Sequence, residues 1–78
     1  MAYNSLYQTC NRINDHKDKH PDMDVEQRRV VEGIVDESLK YKVKHENAKA
    51  KDFEAQEAKL KKVADKAFRT ANKPPPTY

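Results

Sequence analysis

DVEQRRVVEGIVDESLKYKVKHENAKAKDFEAQEAKLKKVADKAFRTAN, residues 24–72, contains no proline and a single glycine, Gly33. It is written mostly in Lys, Glu, Ala, Val, Gln and Leu, residues that a helix accepts at little cost. Its apolar positions form stripes, not a solid block. Met23, Val30, Val31, Ile34, Val35 and Tyr41 crowd one side of a helical wheel, and Val25, Leu39 and Val43 lie nearly opposite. Two apolar stripes on one helix call for two packing neighbours. Further on, Phe53, Leu60, Val63, Ala64, Ala67 and Ala71 gather on one side at a spacing close to a heptad.

Between these two patterned halves, residues 42–52 (KVKHENAKAKD) are nearly devoid of apolar side chains. Asn47 can end one helix there, and Asp52 can cap the next. Without a turn, residues 24–71 would make one rod about 70 Å long at 1.5 Å per residue. A hairpin is the preferred reading, because it lets one chain hide more of its own stripes. The absence of Gly or Pro at the turn counts against it.

Upstream, Asn4 is a suitable N-cap, followed by Leu6, Cys10 and Ile13 at helical spacing, which predicts a short amphipathic helix over 5–18. Pro21 disfavours helical backbone at His20 and predicts a loop over 19–23. Asp24 then caps the next helix, with Gln27 placed to complete a capping box. Downstream, Pro74-Pro75-Pro76 ends the last helix and favours an extended polyproline conformation. The expected fold is all-α: a short N-terminal helix, then a long helix or antiparallel helical hairpin in a small bundle. The expected organisation is one helical domain over 1–73 and a Pro-rich extended tail over 74–78.

With 78 residues and a charged fraction of 37%, the chain has a poor core and a rich surface. Domains of this size bury only about 60% of their unfolded surface and are marginal alone, so oligomerisation or docking on a partner is expected. The formal charge of +3 is uneven. Residues 47–78 carry eight basic and four acidic side chains, while residues 1–46 are nearly balanced. Cys10, the single cysteine, excludes an internal disulfide and fits a reducing compartment. The first fifteen residues lack the basic start and apolar core of a secretion signal. No apolar run approaches the roughly 20 residues that span a bilayer. A cytoplasmic protein is expected, located in the host cytoplasm or the virion if it is viral.

Candidate chemistry is sparse. His16 and His20 have the i, i+4 spacing of shared metal ligands, yet Pro21 disturbs that geometry and further ligands are lacking. Cys10 sits on an apolar stripe with no activating base nearby and reads as a small hydrophobe. No phosphate loop, nucleophile elbow or paired-carboxylate site is visible. The expectation is no enzyme, cofactor, metal or small-molecule substrate. Lys59, Lys62, Lys66, Arg69 and Lys73 form one basic stripe that can track phosphates, but no aromatic residues interleave to stack on bases. A membrane surface is a poorer match, since the opposite face is rich in Ala. Pro75-Pro76-Thr77-Tyr78 has the PPxY pattern read by WW domains. A tail that packs back on the protein or is disordered is the preferred reading.

These features point to a small non-enzymatic protein-binding protein: an adaptor, inhibitor or assembly component acting through an apolar helical face. Tyr3, Tyr7, Val30, Ile34, Tyr41, Phe53 and Leu60 are its candidate contacts, with another protein or by self-association into an oligomer. Short, charged, motif-free helical chains of this kind are common among phage and virus proteins. The alternative is a nucleic-acid-binding protein using the basic stripe.

Overall fold

Asp24 starts the second helix as its position predicts. Its carboxylate accepts from the backbone N–H of Gln27 at 3.4 Å, which satisfies one of the otherwise unpaired amides of the first turn. In the computed structural model, backbone is described for residues 2–76 and side chains for residues 4–76. Four helices are present among the described residues: α1 (Ala2–Asp18), α2 (Val25–Leu39), α3 (Tyr41–Lys44) and α4 (Ala50–Thr70). Helix α1 begins at Ala2, so Asn4 lies inside its first turn and does not cap it.

The chain does turn, and it does so without Gly or Pro. Lys40 closes α2 by donating its N–H to the carbonyls of Asp36 and Ser38, and leads directly into the single turn of α3. His45, at φ −127° and ψ 69°, ends that turn. The Ala48 N–H then bonds the His45 carbonyl at 2.9 Å. Lys49 is extended, and its N–H donates to the Asp52 carboxylate at 2.8 Å. Asp52 therefore secures the start of α4 from its third position and is not itself the cap. A carboxylate there also meets the positive end of the helix dipole.

Three long helices then lie side by side. Val30 is level with Val63 and Ala67, and Glu37 with Lys59, so α2 and α4 run antiparallel. Cys10 meets Val35 and Lys17 meets Glu32, which sets α1 antiparallel to α2. His16 packs on Phe68, and Ser5 and Thr9 reach Glu57, so α1 and α4 run parallel. The core holds Leu6, Cys10 and Ile13 of α1, Val31, Ile34 and Val35 of α2, and Phe53, Leu60, Ala64, Ala67 and Phe68 of α4, with Met23 from the loop. Phe68 is fully buried, and truncating such a ring to Ala costs about 3–5 kcal/mol. One of the two stripes on the second helix is thus spent on the core. Of the other, Leu39 packs against the core, while Val25 at 61% exposure and Val43 at 77% are left in water.

Polar seams fix the register between helices. Ser38 is wholly buried, and Gln56 Nε2 donates to its Oγ and to Glu37 Oε2, both at 3.0 Å. Lys59 Nζ adds a contact to the same Glu37 oxygen at 3.1 Å. Glu57 stands between α1 and α4. Burial alone would raise its carboxyl, but hydrogen bonds from Ser5, Lys61 and Thr9 outweigh that and hold it below its ordinary value. No buried side-chain nitrogen or oxygen among the described residues lacks a partner.

Glu37 and Asp22 are also held low, by hydrogen bonds from Gln56 and from Lys73 respectively. A carboxyl depressed on folding contributes stability above its unfolded value and loses it as pH falls through the folded one. Stability is therefore expected to hold level down to about pH 4.5 and then drop, as followed by urea denaturation across that range. Glu57→Gln is expected to lower stability at neutral pH and to make the acid loss shallower.

Gly33 is exposed in the middle of α2, and a Cβ added there would meet nothing within 4 Å. Gly33→Ala should therefore stabilise the fold by about 1 kcal/mol, the helix-interior difference between the two residues. For a domain of this size that is a rise of about 4–8 °C in Tm, readable by thermal melting.

Candidate interaction surface

Where α2 and α4 meet at the surface they leave a groove of about 400 Å³. Val30 and Val63 face each other across it, with Ala67 at its floor and Gln27, Lys66 and Thr70 at its rim. Val30 remains 43% exposed. It lies on the edge of α2 because Val31, Ile34 and Val35 take the core-facing positions. Val63 is likewise displaced to the edge of α4 by Leu60, Ala64 and Ala67. The groove is one part of the apolar pattern that the three long helices leave uncovered, beside Tyr7, Val25 and Val43.

A second cleft, of about 390 Å³, opens at the hairpin end between Glu37, Tyr41, Lys44, His45, Gln56 and Lys59. Tyr41 is half-buried there, with ring centroids 4.3 Å from His45 and 5.6 Å from Phe53. These aromatic contacts seal the end of the bundle under the turn.

At the opposite end the C-terminal tail folds back. Asn72 adopts φ 60°, the Asn72 N–H bonds the Arg69 carbonyl at 3.0 Å, and the Lys73 N–H bonds the Phe68 carbonyl at 2.8 Å. That is a Schellman cap, and Asn tolerates the left-handed backbone it needs. Lys73 Nζ then reaches Asp22 at 2.8 Å, and His16 Nε2 donates to the Pro74 carbonyl at 2.7 Å. Pro76 is buried beside a cleft of about 320 Å³ lined by Arg12, Asp15, His16 and Lys19. Residues 74–76 thus lie against α1. The remainder of the PPxY pattern, Thr77 and Tyr78, falls outside the described residues.

Among the candidate contact residues, Tyr41 is half-buried against the core and the others separate into two groups. Ile34, Phe53 and Leu60 are buried, their apolar surface packed inside the chain once the hairpin brings α2 and α4 together. Val30 and Tyr7 keep open surface, Tyr7 at 48%. The side chain of Tyr3 lies outside the described residues. Phe68 does not stand out in the sequence because it sits at the α1-facing border of the α4 stripe. Its signal is the i+4 step from Ala64 and i+8 from Leu60.

The basic stripe is partly neutralised. Lys59 pairs with Glu37 at 3.1 Å, Arg69 with Asp65 at 2.9 Å and Lys73 with Asp22 at 2.8 Å. Lys62 and Lys66 are exposed, and no ion pair involves either among the described residues. Cys10 is wholly enclosed, and burial pushes its thiol up to about 11. It is a protonated packing group at neutral pH. The rings of His16 and His20 lie 4.8 Å apart, but His16 is engaged by the tail. Among the described residues no three His, Cys, Asp or Glu side chains are grouped to hold a metal ion. No described helix is long and apolar enough to cross a membrane.

No family model matches this chain, and no curated protein or solved structure matches it either.

Proposed function

We propose that this chain is a small non-enzymatic protein-binding protein, an adaptor, inhibitor or assembly component acting through an apolar helical face. The observation that supports the reading is the groove at Val30 and Val63, a concave apolar break in the polar surface. An apolar floor with a polar rim is the usual anatomy of a helix-binding surface. The titratable groups with displaced values serve packing or helix register, as with Cys10, Glu37 and Glu57, and none lines this groove. A phage or viral origin and a site of action in the host cytoplasm or the virion suit so short and charged a chain.

Photo-crosslinking from the groove tests the reading in the native host. A benzophenone-bearing residue placed at Val30 is expected to give a discrete crosslinked protein band, and the same residue at Asp18 is expected to give none. Equal labelling from both positions, or from neither, would refute it.

Nucleic acid is the second reading, favoured by Lys62 and Lys66 on one edge of α4, which have no ion-pair partner among the described residues. It requires binding that weakens with salt and is lost on charge reversal. The variant Lys62→Glu/Lys66→Glu should abolish retention on a duplex DNA or RNA at low salt, measured by fluorescence anisotropy. If the unaltered protein shows no retention at low salt, that reading is wrong.

A further inference from the structure

Gln27 and Val30 line the groove from α2. Glu26 and Gly33 share the helix ridge of Val30, at spacings of four and three, and so stand beside that edge. Gly33 has no use inside the monomer. It is exposed, its backbone is ordinary helix, and a methyl group there would touch nothing. A glycine at such a place lowers helix stability and is of use where another backbone must approach closely. The opposite edge of the groove belongs to α4 and carries Lys66, which lacks an ion-pair partner among the described residues.

The two edges differ in sign. Glu26 stands on the α2 edge and Lys66 on the α4 edge, neither with an ion-pair partner among the described residues, whereas Glu37 and Lys59 further along already pair with each other. A surface with an apolar centre, an acidic edge and a basic edge is complementary to itself under one operation. A two-fold axis parallel to the helices lays α2 of each copy over α4 of the other, acidic edge on basic edge. A two-fold axis across the helices would set like edges together and be repelled.

Resting on the protein-binding reading above, we propose that the occupant of this groove is a second copy of the chain, in an isologous dimer with α2 of each protomer over α4 of the other. Val30 of each copy fills the groove at Val63 and Ala67 of its mate, and Gly33 admits the facing helix. Heights along the axis are kept by this operation. Gln27 and Thr70 border the same groove, so Glu26 of one copy falls within a turn of Lys66 of the other. Burial of Val30 and Val63 in such a contact removes apolar surface that a marginal domain otherwise leaves in water.

Sedimentation equilibrium from about 1 µM to about 1 mM, a span that covers weak to moderate self-association, tests the proposal on the whole chain. The unaltered protein is expected to reach twice its monomer mass within that range, and to do so less readily at high salt. Lys66→Glu and Glu26→Lys are each expected to weaken the dimer by about tenfold or more, since each sets like charges face to face. Together they restore the attraction with its sign reversed, and the double variant should recover to within about threefold of the unaltered protein. Both positions are exposed, so helical circular dichroism is expected to be unchanged and shows that each variant is folded. A monomer throughout the range, or a double variant no better than the weaker single one, overturns the dimer. A monomer that still crosslinks from Val30 to a different protein would refute this inference alone and leave the protein-binding reading standing.

Discussion

Helix α4 carries one continuous apolar ridge, and both other long helices are built against it. Phe53, Leu60, Ala64, Ala67 and Phe68 supply that ridge in a mixture of large and small side chains. The alanines let neighbouring helices come close, and the large residues fill the space above and below them. Phe68 is where this matters most. It is enclosed by the core, meets the edge of His16 on α1 with ring centroids 4.9 Å apart, and ends its helix in the Schellman turn that sends the tail back over α1. Loss of that ring would loosen α1, His16 and the tail together, because each is positioned by the one before it.

The periodicity of residues 24–72 makes the all-α class legible from sequence, and Asp24 and Pro21 mark the loop between the first two long helices. The hairpin turn is harder to read, since its signals are weak ones. His45 breaks the helix by its backbone angles alone, and Asp52 stabilises the restart from the third position instead of the cap. Neither leaves a composition signature as plain as glycine or proline. The Ser38–Gln56 pair is invisible in one dimension for a different reason. A buried polar contact between residues 18 apart depends on register that only the packed hairpin defines. Residues 58 apart in sequence meet in the His16–Pro74 bond, and a Pro-rich tail by itself says only that its backbone is extended.

The candidate surface was legible in part, and the boundary follows from geometry. A helical wheel groups residues by angle, so Val30 and Ile34 fall on one side. The structure separates them, because the core-facing arc of α2 is occupied by Val31, Ile34, Val35 and Ser38 and Val30 stands just beyond its edge. Phe53 and Leu60 share the fate of Ile34, since the same strength of apolar signal that marks a contact residue also marks a core residue. Only the partner helix decides between the two. In a chain this short, the most hydrophobic positions go to the core and the flanking ones are left at the surface.

That division also limits what the basic stripe can do. Lys59, Arg69 and Lys73 are drawn into ion pairs that tie α4 to α2, to itself and to the loop before α2. Exposed pairs of this kind stabilise weakly, on the order of 0–1 kcal/mol, yet each still removes a cation from the field that an anionic partner would meet. Lys62 and Lys66, which have no ion-pair partner among the described residues, lie one turn apart and make a poor track for a phosphate backbone, which rewards many evenly spaced cations. On the protein-binding reading proposed above, one or two charges at the rim would set the direction of a bound helix while the valines at the centre supply the affinity.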